Sequence, residues 1–291
     1  MSFFDVSSFF YIFGVPYKGV PVSKFRYIFP NAFTSLNFML GVFAICWATG
    51  SFDSFTSPGT DTIRMSAYFI LLCVLFDKLD GFAARLVNAS SEFGAQFDSL
   101  ADLIAFGVAP AFCILYAYKG FAPEWFQSHF ALLIVVFSIY VLCAAMRLAK
   151  YNALDSDTYH HHFSGVPSTF AGAINAITIV FFKSRGLFDG ADSAALFLPV
   201  AILFVTGILM VSPVFLPKLQ PRKNKIFNTF QAILIVITYI SAFFFVTDTI
   251  PFLYEYLLLL VGGYLTIGLA VGLINRKKII AEAKAEKEKA A

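Results

Sequence analysis

The chain has 291 residues, of which 59% are hydrophobic and 13% charged, with a formal net charge of +3. Soluble domains carry about 25% charged and roughly 45–50% apolar residues. The composition therefore excludes a water-soluble globular enzyme, a disordered chain and a nucleic-acid module.

Residues 1–29 mix Phe3, Phe4, Phe9, Phe10, Tyr11 and Phe13 with Lys18, Lys24 and Arg26. That mixture suits an interfacial helix on an anionic leaflet, or an apolar leader packed on a bundle. No basic region followed by a short apolar run and a cleavage site is present, so no signal peptide is expected. A spanning helix needs about 20 mainly apolar residues. Eight segments qualify: 32–50, 64–88, 95–118, 127–152, 167–184, 194–215, 228–247 and 251–275. The breaks carry turn chemistry: Ser57-Pro58-Gly59, Lys119-Gly120, Gly186, the stretch from Pro213 to Pro221, and Pro251. The expected fold is an all-α integral membrane protein of about eight spans. Cys46, Cys73, Cys113 and Cys143 each lie in an apolar run and read as small buried hydrophobes. The tail 276–291, ending AEAKAEKEKAA, reads as a solvated charged end.

Orientation follows from Lys and Arg near the span ends. With the N-terminus in the cytoplasm, sixteen of the 21 basic residues fall on that side. Four (Arg64, Lys119, Lys183 and Arg185) fall on the other, and Lys78 lies within a span. Both termini are then cytoplasmic. Three adjacent histidines, His160 to His162, fall in the loop 153–166. They share no face, so a solvated loop is favoured over a zinc site; His129 reads as interfacial.

An intramembrane carboxylate costs roughly 2.5–3.5 kcal/mol at mid-helix on insertion scales. This chain places four close together. Asp77 and Asp80 stand at i, i+3, and Asp98 and Asp102 at i, i+4, so each pair shares a helix face. The short connection at about Asn88 to Ser91 makes the two helices antiparallel neighbours. The four carboxylates then converge near the cytoplasmic end. Side by side they require a counter-charge, and oxygen-only donors suit Mg²⁺, Mn²⁺ or Ca²⁺. Two metal ions match the number of carboxylates. Gly81, Ala84 and Gly94 flank the cluster, either for close helix packing or as a cleft for a flat or phosphorylated ligand. Arg85 adds a cation at its edge. Lys78 either snorkels outward or offsets one carboxylate.

This pattern resembles the CDP-alcohol phosphatidyltransferase family, whose signature is D-x2-D-G-x2-A-R-x8-G-x3-D-x3-D. Asp77, Asp80, Gly81, Ala84, Arg85, Gly94, Asp98 and Asp102 meet all eight positions across 26 residues. Residues 98–111 (DSLADLIAFGVAPA) are similar to the branch of the family that makes phosphatidylserine, with Ala105 where that branch has Ser. So are 146–152 (MRLAKYN, with Lys150 for Arg), 164–168 (SGVPS) and 209–212 (LMVS). Pro30-Asn31, Thr34, Asn37 and Gly41 resemble the family's first-helix pattern. The form D-P-x-A-D-K expected of glycerophosphate enzymes is absent, since Ser99 and Leu103 stand at its Pro and Lys positions. The resemblance covers about residues 28–220.

The resemblance implies transfer of a phosphatidyl group from CDP-diacylglycerol to an alcohol, L-serine in this branch, with release of CMP. Asp77, Asp80 and Asp98 are the implied metal ligands for Mg²⁺ or Mn²⁺, two ions per site. Asp102 is the implied general base, also able to touch the second metal. Asn31, Thr34, Gly81, Ala84, Arg85 and Gly94 would line the cytidine and diphosphate site. Arg147 and Lys150 either capture the serine carboxylate or a phosphate, or simply follow the positive-inside rule. The implied organisation is an N-terminal interfacial segment 1–29, a family core 30–220, two additional helices in 221–275 and the tail 276–291. A homodimer in a bacterial or archaeal plasma membrane is implied, with membrane lipids around it, the site facing the cytoplasm and no nucleic acid bound. Beside this stand another acceptor (glycerol 3-phosphate, inositol phosphate or another alcohol), an inactive lipid-binding relative, and a secondary transporter, which also buries carboxylates near the midplane.

Overall fold

Lipid offers the backbone no hydrogen-bond partner, so the apolar runs fold as helices. The computed structural model describes residues 25–55, 61–87, 92–153, 162–188, 193–218, 237–238, 240–241, 244–245 and 252–281. Side chains at 25–30, 55, 80–87, 92 and 193 lie outside that set. The helices are α1 (Phe25–Ala48), α2 (Thr62–Val87), α3 (Glu92–Asp102), α4 (Ala109–Phe121), α5 (Pro123–Ser128), α6 (Phe130–Ala153), α7 (Ser168–Ser184), α8 (Ser193–Val211) and α9 (Leu253–Ile274). A π-helical segment, Leu103–Val108, joins α3 to α4.

Among the described residues, five helical stretches are long and apolar enough to cross a membrane: Asn31–Ala48, Phe93–Phe121, Phe130–Ala153, Ala194–Val211 and Leu253–Ile274. The protein is an integral membrane protein. Two more of the expected spans are helices as well. One is α2, which carries the charged cluster; the other is α7, with 17 residues. The expected span 228–247 and residues 1–24 lie largely outside the described residues, as do His160 and His161.

Two details depart from the sequence reading. The sixth expected span, α8, ends at Val211 rather than continuing to 215, and a strand pair follows. β1 (His162–Ser164) runs antiparallel to β2 (Phe215–Pro217), with Phe163 opposite Leu216. Gly165 turns the chain into α7 at φ +78, where a Cβ would collide with the Met210 carbonyl. Its N–H donates to Val214 O at 2.8 Å, and that of Val166 donates to Leu209 O at 3.1 Å. The SGVPS and LMVS elements thus form one joint between α7 and α8. His162 belongs to β1 rather than to a loop.

The second departure is in the third expected span, 95–118, which is not a single α-helix. In an α-helix the Phe106 carbonyl would accept the N–H of residue 110, but that residue is proline and has none. The backbone widens into the π-helical segment just before it. Tyr140 on α6 donates its hydroxyl to Phe106 O at 2.8 Å and supplies the missing partner. Close neighbours hold the segment in place. A Cβ on Gly41 of α1 would lie 3.0 Å from the Ala105 Cα, and one on Gly172 of α7 would lie 3.1 Å from the Phe106 Cα. Only small residues permit such approach. Tyr140→Phe is expected to lower stability by about 1–2 kcal/mol in detergent unfolding. Unchanged stability would show that the hydroxyl does not hold the segment.

α1 packs along α2, and α3 and the π-helical segment lie against α1. α7 sits centrally, against α2, α4, α8 and α9, and most of its side chains are buried. Asn175 on α7 donates to Thr206 Oγ1 on α8 at 2.9 Å. Ionic contacts gather at the end where α2 begins. Asp61 caps α2 by accepting the Arg64 N–H at 3.0 Å. It also pairs with the Arg64 side chain at 3.2 Å and with Lys183 at 2.5 Å. Nearby, Arg185 at the end of α7 pairs with Glu255 of α9. Along the continuous α2 helix, Asp77 lies about 24 Å from this layer, so the aspartates belong to the opposite end.

Candidate active site

The site is built where the C-terminal half of α2 passes α3. Asp77 comes from α2, and Asp98 and Asp102 come from α3 one turn apart. One oxygen from each of the three lies within 4.8 Å of the others. Asp102 is 8% exposed, and Asp77 and Asp98 are half-buried. Oxygens on opposite sides of a Mg²⁺ or Ca²⁺ ion lie roughly 4–5 Å apart. The spacing and the all-carboxylate donor set fit a hard divalent cation. Asp102 closes α3, and the π-helical segment starts at the next residue. The widened turn, pinned by Tyr140, Gly41 and Gly172, therefore sets the position of the last carboxylate.

Asp80, Gly81, Ala84 and Arg85 lie on α2 in the turns after Asp77, with side chains outside the described set. Gly94 lies in the first turn of α3 and is partly buried. Asn31 and Thr34 are buried at 4% exposure each on α1, which packs along both α2 and α3. Lys78 offsets a carboxylate: its Nζ lies 3.0 Å from Asp77 Oδ2. Cys73, one turn before Asp77, is fully buried and donates its S–H to Asn37 O at 3.5 Å. Cys113 and Cys143 are also buried and Cys46 is intermediate; all four are free thiols.

The structure separates the two basic residues of α6. Arg147 is partly buried and within electrostatic reach of Asp102, while Lys150 is exposed. Arg147 Nε is buried and makes no hydrogen bond, so its guanidinium retains donors for an anion. Sequence reasoning assigned no role to three other residues. Asn37 is fully buried, with both amide atoms unpartnered. Its place in the first-helix pattern, three residues after Thr34, was the available signal. Ser99 and Asn152 were visible as motif positions, but they come together 53 residues apart in sequence.

Comparison with known proteins decides between the readings. The family model for CDP-alcohol phosphatidyltransferase matches residues 27–211. The chain belongs to the CDP-alcohol phosphatidyltransferase family. It is 32% identical over 197 residues to the CDP-diacylglycerol–serine O-phosphatidyltransferase of Helicobacter pylori strain 26695, covering 68% of this chain and 75% of that one. It is 34% identical over 193 residues to the protein of the same name from Mycobacterium tuberculosis, covering 63% and 60%. It is 33% identical over 149 residues to the archaetidylserine synthase of Methanothermobacter thermautotrophicus, covering 50% and 58%. Membership in a transferase family sets the transporter reading aside.

Proposed function

We propose that the protein transfers the phosphatidyl group of CDP-diacylglycerol to L-serine, giving phosphatidylserine and CMP. The single observation that carries this is the cluster of Asp77, Asp98 and Asp102 within 4.8 Å, on a chain of this family. The names of its relatives support serine as the acceptor. Divalent cations held by Asp77, Asp80, Asp98 and Asp102, two per site as Mg²⁺ or Mn²⁺, would supply neutralisation of the donor diphosphate. The remaining work falls to the chain. Asn31, Thr34, Gly81, Ala84, Arg85 and Gly94 hold the cytidine and diphosphate. Arg147 offers its planar fork to the serine carboxylate, and Lys150 draws anions to the rim. Asp102 accepts the proton of the serine hydroxyl as that oxygen attacks the phosphorus bearing diacylglycerol. A new O–P bond forms, the P–O bond to CMP breaks, and CMP leaves with the electron pair.

The charge distribution supports a cytoplasmic site, with both termini on that side, in a bacterial or archaeal plasma membrane. The family core spans 30–220, two further helices follow in 221–275, and the working form is a homodimer. One assay tests the reading. Purified protein with CDP-diacylglycerol is offered serine, glycerol 3-phosphate, inositol phosphate or choline, and CMP is measured. Release with serine alone is expected; release only with another alcohol overturns the acceptor. In sealed right-side-out vesicles, external serine should yield no CMP until the membrane is permeabilised.

A further inference from the structure

The helix that carries Arg147 is tied to the helix that carries Asp98 and Asp102 by one small polar cluster. Asn152, in the last turn of α6, donates from Nδ2 to Ser99 Oγ at 2.9 Å and to Gln96 Oε1 at 3.1 Å. An amide nitrogen has two hydrogens, so both are committed to α3. Ser99 in turn donates its own hydroxyl hydrogen to Ala95 O at 3.2 Å. Its oxygen is therefore left to accept from Asn152, and the direction of the bond is determined.

The two helices run antiparallel, so the pairing sets the level of Arg147. Ser99 follows Asp98 directly and precedes Asp102 by three residues. Asn152 follows Arg147 by five. With Asn152 anchored at Ser99, Arg147 falls deeper in the bundle, within electrostatic reach of Asp102. α6 packs mainly on α8 and α3 mainly on α1; apart from the π-helical segment after Asp102, which also packs on α6, few other contacts join the two helices.

We propose that Ser99 and Asn152, with Gln96, form a positioning clamp that sets the Arg147 guanidinium at the acceptor end of the carboxylate cluster. The ligand served is the carboxylate of an amino-acid acceptor. The clamp rests on the assignment of Arg147 to that carboxylate. It touches neither donor nor metal, and it acts through the placement of α6 against α3.

The test uses the full chain in mixed micelles with CDP-diacylglycerol and serine as substrates. Ser99→Ala and Asn152→Ala should each raise the KM for serine about tenfold, with the KM for CDP-diacylglycerol within about twofold of the parent. The double variant should be no worse than the worse single, because the Ser99–Asn152 bond is lost in all three. Ser99→Thr keeps the hydroxyl and should retain the parent KM. If Asn152→Ala does not accumulate as folded protein, Ser99→Ala and Gln96→Ala carry the same comparison. Multiplying effects in the double variant, or equal changes for donor and serine, would overturn the clamp. Arg147→Ala separates the two ideas. An unchanged serine KM in that variant removes the carboxylate assignment itself. A raised KM there, with parent values in the Ser99 and Asn152 variants, removes the clamp alone.

Discussion

Replacing Asp98 by Asn should abolish CMP release and with it the activation seen on titrating Mg²⁺ or Mn²⁺. The substitution keeps the size of the side chain but exchanges a charged two-oxygen donor for a neutral group with one oxygen. One oxygen each of Asp77, Asp98 and Asp102 lies within 4.8 Å of the others, so the substitution removes one of the three described charged donors from the cluster. Disturbing a residue that merely supports a metal ligand costs about 10–100-fold in affinity. Removing a ligand should cost at least about 100-fold. Near-normal turnover at limiting metal would remove Asp98 from the ligand set.

Replacing Asp102 by Asn should separate chemistry from binding. Loss of a general base costs about 10²–10⁴-fold in rate. Donor binding, measured by calorimetry, should change far less, because Asp77, Asp80 and Asp98 remain. Asp102 is the most buried of the three described carboxylates and lies within electrostatic reach of Arg147. On the proposed reading, an acceptor whose carboxylate is held by Arg147 would present its hydroxyl to Asp102. If Asp102→Asn loses donor binding as completely as Asp98→Asn, Asp102 is chiefly a metal ligand and the base lies elsewhere.

Much of this protein could be read in one dimension. Apolar runs of spanning length are sufficient to specify helices, because a lipid-embedded backbone must bond to itself. The expected spans that fall on described residues are mainly helical, the third as two α-helices joined by a π-helical segment and the sixth ending at Val211. The carboxylates were legible for a related reason. Charged groups in apolar helices are costly enough to stand out, and i, i+3 and i, i+4 spacings place them on one face whatever the rest of the chain does. Asp77, Asp98 and Asp102 converge as that spacing requires.

Tertiary structure decided what depends on partners distant in sequence. Pro110 stands inside the expected span 95–118 and removes one N–H from the ladder, yet nothing local indicates that Tyr140, 30 residues later, supplies a donor to Phe106 O. Lys78 could equally snorkel or pair, and only its rotamer beside Asp77 settles the choice. Arg147 and Lys150 are three residues apart and chemically alike. The fold leaves the first partly buried within electrostatic reach of Asp102 and the second exposed. Ser99 and Asn152 meet across 53 residues because α6 happens to cross α3 there. Hydropathy determines that a segment is helical and embedded. It does not determine which face meets protein, since lipid tails and a packed core are equally apolar, and that choice belongs to the close fit of small residues such as Gly41 and Gly172.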